Sequence, residues 1–117
     1  MIRLKTEEGT IAVDNAVYTN IAGYAATNCF GVKGMAARSK TDGLVHLLRR
    51  ESMSKGVAVS FNEDGSVSLS LHIVVDHGVN LKVLAESIMN EVAYKVSKST
   101  GVAVKSVDVC VDSMQVS

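Results

Sequence analysis

The sequence predicts an α/β (α+β) fold, a two-layer single domain over residues 1–117 with a mixed β-sheet and helices packed mainly on one face. Two neighbouring stretches carry that prediction. From Ser66 to Asp76 the residue types alternate, with Val67, Leu69, Leu71, Ile73 and Val75 of one parity and Ser66, Ser68, Ser70, His72 and Asp76 of the other. Successive strand side chains point to opposite faces, so this is a strand with one buried face. After Gly78 the period changes: Leu81, Leu84, Ala85, Ile88, Val92 and Val96 recur every three or four residues between charged positions. That spacing predicts an amphipathic helix, capped by Asn80 and stopped by Gly101. A third observation joins them. Neither element can bury its apolar face alone, and each supplies the surface the other needs.

The remaining elements follow in chain order. Met1 to Thr6 is an edge strand in which Ile2 and Leu4 alternate with Arg3 and Lys5, and Glu7-Glu8-Gly9 turns into a short strand from Thr10 to Val13. Asp14 caps a helix from Asn15 to about Cys29, whose buried side is expected at Val17, Ile21, Tyr24 and Ala25 and which Gly31 ends. Its small residues Ala16, Ala22, Gly23 and Ala26 imply close approach to a neighbour, since an uncompensated helical glycine costs about 1 kcal/mol. Val32 to Ser39 is a poorly patterned strand. Asp42 to about Ser52, with a cap at Thr41 or Asp42, predicts a second helix with the stripe Leu44, Leu47 and Leu48. Val57 to Asn62 alternates, and the turn Asn62-Glu63-Asp64-Gly65 makes a hairpin with the strand that follows. After the long helix, Val104, Val107, Val109 and Val111 interleave with Ser106, Asp108, Cys110 and Asp112 as the last strand, and Met114 to Ser117 is expected to fray. The order is β-β-α-β-α-β-β-α-β.

A chain of 117 residues is the size of one core. Its 12 basic and 12 acidic residues cancel, which argues against a general nucleic-acid coat. Two cysteines are too few for a disulfide scaffold, and with no secretory signal at the N-terminus the expected compartment is the cytoplasm, with both thiols reduced. The longest uncharged run, Asn15 to Val32, is broken by Thr19, Asn20, Thr27 and Asn28, so any membrane association is expected to be peripheral or through a partner. There is no tryptophan and no proline, hence no proline-rich docking segment, and the five other aromatics are scattered.

Candidate chemistry is thin. His72, Asp76 and His77 invite a metal reading, but on one strand His72 and Asp76 lie ~13 Å apart, too far to share an ion. Cys29 and Cys110 lack CxxC spacing, a thiol acting with His46 or His77 has nothing local to support it, and Asp108 and Asp112 read as solvated strand residues rather than an acid and base pair. No cofactor and no metal are expected. Gly31-Val32-Lys33-Gly34 has the GxxG spacing with which KH domains clamp a nucleic-acid backbone, although a strand follows where that module starts a helix. Charge is uneven in one place. Residues 33–55 hold Lys33, Arg38, Lys40, Arg49, Arg50 and Lys55 against Asp42 and Glu51, six minus two or +4, leaving −4 elsewhere. A local field of that sign meets an acidic protein, an anionic surface or a nucleic acid, and these six cations are the candidate partner-binding residues.

Several local patterns together resemble the alkaline-shock, or envelope-stress-response, protein family of bacteria. They are Gly9-Thr10-Ile11-Ala12-Val13, Ile21-Ala22-Gly23-Tyr24-Ala25-Ala26, Gly31-Val32-Lys33-Gly34-Met35, Lys55-Gly56-Val57, Ile73 to Asn80, and Thr100 to Val107. The resemblance spans nearly the whole chain, and none of its pieces is a catalytic signature. It implies a small cytoplasmic protein without established enzymatic activity, linked to cell-envelope homeostasis and in some members held near the membrane by protein partners. The leading expectation is therefore a non-enzymatic scaffold or regulatory protein with protein partners, membrane-associated ones included, and with self-association open. The alternative is a small nucleic-acid binder using Gly31 to Gly34 and segment 33–55.

Overall fold

The computed structural model describes residues 2–38, 45–48 and 54–116. Among the described residues nine elements are present: β1 (Ile2–Lys5), β2 (Thr10–Val13), α1 (Asn15–Thr27), β3 (Val32–Arg38), β4 (Val45–Leu47), β5 (Val57–Phe61), β6 (Val67–Asp76), α2 (Leu81–Thr100) and β7 (Val104–Gln115). The architecture is mixed α+β, with two helices and two sheets.

β6 organises the larger sheet. β7 runs parallel along one side of it, while β5 and β3 pair antiparallel with its first and second halves on the other side. The inward residues Val67, Leu69, Leu71, Ile73 and Val75 are all buried, and Leu84, Ile88, Val92 and Val96 of α2 join them in the core. Each such side chain contributes about 1.5–3 kcal/mol of apolar burial. Both caps of α2 are as the residues predict. The Asn80 side chain accepts from the Val83 amide at 3.1 Å, and Gly101 closes the helix in the left-handed region at φ 76.

α1 is capped by Asp14, which accepts from the Ala16 amide at 3.0 Å, but the helix ends at Thr27 with Asn28 as its cap. Its buried stripe is also displaced. Tyr18, Ala22, Ala25 and Ala26 face the core, Ile21 is half-buried, and Val17 and Tyr24 are exposed. The small residues win the inner side because the helix lies close on α2 and the sheet, and Tyr18 fills the remaining space with its ring edge on Phe61, centroids 5.8 Å apart.

Three further differences stand out. β1 and β2 pair with each other in a separate, largely exposed hairpin and do not edge the main sheet, though Leu4 and Val13 reach the core. Within the segment expected to be a second helix, Val45–Leu47 is a strand paired antiparallel with Ala36–Arg38; the rest of Asp42 to Ser52, apart from Leu48, lies outside the described residues. The backbone edge of β3 needs hydrogen-bond partners, and β4 supplies them. Leu47 then lies over Gly34 while Leu48 turns to the core, the opposite-face placement of extended neighbours. Finally, β7 does not fray at Met114: Met114 and Gln115 pair with Val75 and Asp76, and the Gln115 carbonyl accepts from the His77 amide.

Candidate functional site

The basic segment does not assemble into one patch among the described residues. Lys33 sits in β3 with its ammonium 3.5 Å from Asp76, and Lys55 lines a different cleft on the outer sheet face. Arg38 ends β3, and Lys40, Arg49 and Arg50 lie outside the described residues.

Lys33 nevertheless has company. It opens onto a depression of about 260 Å³ walled by Tyr24, Thr27 and Asn28 of α1, with Met35 and Leu48 beneath. Tyr24 and Asn28 are at the same time the wall of a larger groove, about 470 Å³, between α1 and α2, where Ile21 and Ala25 face Glu91, Lys95 and Ser99. The two hollows thus lie on either side of the half-exposed Tyr24, with Tyr24 and Asn28 as a shared wall. The groove exists because α1 presents small residues to α2. Its rim carries the Glu91–Lys95 pair at 3.9 Å, an exposed contact worth only a few tenths of a kcal/mol. An apolar floor, an amphipathic aromatic and a charged rim are the ingredients of a protein-docking surface. The sequence reading placed Tyr24 on the buried side, so the groove was illegible until the helix rotation was known.

The second grouping lies on the outer face. His72 Nδ1 sits 3.0 and 3.1 Å from the two carboxylate oxygens of Asp112, and Cys110 is the residue directly opposite His72 in the β6–β7 pairing. Lys55 borders the same cleft. Asp112, expected as a solvated strand residue, is largely covered instead: its contact is 40 residues away, where the strand register shifts between Ile73 and Val74. A carboxylate on Nδ1 orients an imidazole, yet no hydrogen bond joins the Cys110 thiol to His72, so nucleophile and base are not coupled. His72, Asp76 and His77 do not converge, since His72 turns to Asp112 and Asp76 to Lys33. Among the described residues no three His, Cys, Asp or Glu side chains gather as metal ligands do. Burial pushes the Cys29 thiol up, the Glu91 carboxylate adds to that, and a hydrogen bond with Ser87 offsets part of it, so the thiol stays protonated.

Gly31 and Gly34 serve the fold. Gly31 is at φ +98 with Val79 3.0 Å from where a Cβ would stand, and Gly34 is buried in β3 opposite Val74 with Leu47 at 3.0 Å. Their stretch is a bulged strand and not the exposed loop that a KH-type backbone clamp requires. Among the described residues no helix is long and apolar enough to cross a membrane.

Comparison with known proteins places these features. The uncharacterized protein YloU of Bacillus subtilis is 35% identical over 116 residues, covering 98% of this chain and 96% of that one. The uncharacterized protein Spy1614 of Streptococcus pyogenes is 30% identical, with 98% and 95% covered. Among solved structures, a histidine-to-alanine variant of the MamM CTD superposes with a TM-score of 0.52 at 15% identity, over 87% of this chain and 100% of that one. A histidine-to-glutamate variant gives 0.50 at 16%, over 85% and 94%. Identity that low speaks to the mixed α/β fold alone. Residues 3–116 also match a family profile end to end, and this chain belongs to the alkaline shock protein 23 family, whose function is cell envelope-related.

Proposed function

We propose that this chain is a non-enzymatic cytoplasmic scaffold or regulatory protein of cell-envelope homeostasis that acts through protein contacts near the membrane. It docks partners through the surface around Tyr24 and Lys33, and the basic residues Arg38, Lys40, Arg49, Arg50 and Lys55 of the same stretch of sequence supply positive charge for an acidic partner. The observation that carries this reading is the groove between α1 and α2 that shares Tyr24 and Asn28 with the Lys33 depression, in a chain of an envelope-related family. Apolar contact there provides affinity, and the cations steer an acidic partner and fix its register.

The test is purification of the tagged chain from its own cells beside two double variants, Tyr24→Ala with Lys33→Glu, and Arg49→Glu with Arg50→Glu. Each is expected to lose the co-purifying proteins while keeping the wild-type circular dichroism spectrum and melting point. An unchanged set of co-purifying proteins in both variants removes this surface from the reading.

A further inference from the structure

β7 is 12 residues long and gives one edge to β6; among the described residues it packs on β6 and α2, and no strand pairs with its other edge. A long unpaired edge presents a row of free amides and carbonyls, which proteins normally shorten, charge or cover. Here β7 keeps charges at Lys105, Asp108 and Asp112, while its helix side carries Val107, Val109 and Val111. α2 turns Leu84, Ile88, Val92 and Val96 to the core and Glu91, Lys95 and Ser99 to α1, so at 100° per residue its side over the β7 edge begins with Lys82 and continues with Ala85, Met89 and Ala93. Met89 and Val111 are each 37% exposed.

We infer that β7 is a homodimer seam, in which two copies pair their β7 edges antiparallel about a two-fold axis through Val109 and continue the sheet across the dimer. The pattern of the strand selects that occupant and that register. With the helices of both copies on the same side, paired residues must face the same way, so a residue and not a gap sits on the axis. Of the three central positions Asp108, Val109 and Cys110, Asp108 on the axis opposes Asp108 to its own copy, and Cys110 opposes Asp108 to Asp112, like charges that repel. Val109 instead matches Val107 with Val111 on the helix side and Asp108 with Cys110 on the outer side. The valines are symmetric about Val109, and the stretch from Ser106 to Val111 between the two irregularities of β7 is regular. This inference stands apart from the docking surface at Tyr24.

Sedimentation of the full chain from about 1 to 200 μM tests it, with Val111→Lys and Met89→Glu as seam variants. The register is read by Asp108→Cys in a Cys29→Ser background, where the thiol introduced at position 108 opposes native Cys110 of the other copy at cross-strand distance. Expected are a concentration-dependent dimer, its loss in either seam variant with an unchanged circular dichroism spectrum, and a disulfide-linked dimer on a non-reducing gel for Asp108→Cys but not for Lys105→Cys. A monomer at every concentration, which leaves the edge to a different protein, overturns the inference. So does a dimer that survives both seam variants.

Discussion

Gly56 offers a direct test of how tightly the sheet is assembled. It has no need of left-handed backbone, yet a Cβ built there stands 2.9 Å from the Ala36 carbonyl oxygen, 3.0 Å from Met35 Cβ and 3.3 Å from the His72 carbonyl oxygen. Two of these three atoms are backbone of β3 and β6, so relief requires those strands to move. Gly56→Ala gains ~0.4–1 kcal/mol by restricting the unfolded chain. Overpacking of a site that cannot yield costs ~1–3 kcal/mol. The net expectation is a loss of about 1–2 kcal/mol, a fall in melting temperature of roughly 4–8 °C for a domain of this size. Gly65→Ala is the control, because nothing lies within 4 Å of its Cβ position and its cost comes from φ +87 alone. Urea unfolding followed by circular dichroism at constant m-value reads both. A Gly56→Ala variant as stable as wild type, or more so, refutes the close approach of β5 to β3 and β6.

The helix register is checked by Ile88→Ala, fully buried, which should cost roughly 2–5 kcal/mol in thermal unfolding while Glu91→Ala changes little; equal shifts refute the register. Tyr18→Phe removes a buried hydroxyl that has no hydrogen-bond partner among the described residues, so stability should hold or rise by up to ~1–3 kcal/mol, and a loss above about 1 kcal/mol shows a partner. The Asp64 carboxyl is held below its usual value of 3.8, chiefly by the Ser66 hydroxyl at 2.6 Å and then by the Ser66 amide. Its contribution is present above that value and lost as pH falls through the lower folded value, so Asp64→Asn should flatten the acid limb of a stability–pH curve below about pH 4. Cys29→Ser, Cys110→Ser and Asp112→Asn should each leave the cellular phenotype intact, and a clear loss from any of them in a folded protein points to an enzyme.

Legibility followed locality. β6 and α2 were readable because their signals are periodic within one segment, and the caps Asp14, Asn80 and Gly101 act within a few residues of themselves. The β5–β6 hairpin was readable from its turn. α1 was placed, but its rotation was not. With alanines and a glycine on several sides, hydrophobic spacing does not tell the core stripe from an exposed one, and what decides is how closely α2 approaches, a tertiary fact. β4 failed for a related reason: Leu47 and Leu48 fit a helical stripe as well as two faces of a short strand, and the partner that settles it, the free edge of β3, is not local.

The outer face shows the same limit in its sharpest form. His72 and Asp112 were each visible as polar residues of alternating strands, and a parallel pairing of β6 with β7 was inferable from the helix between them. A regular register sets His72 opposite Cys110 and leaves Asp112 opposite Val74. The chain inserts one residue there, so that Val74 pairs with Ser113 and the Asp112 carboxylate swings onto His72 Nδ1. The contact is thus a product of the irregularity, which no periodic rule predicts. The same irregularity ends the regular stretch from Ser106 to Val111, so the feature that gathers His72, Cys110 and Asp112 on the outer face also bounds the length of β7 free to pair with a second copy.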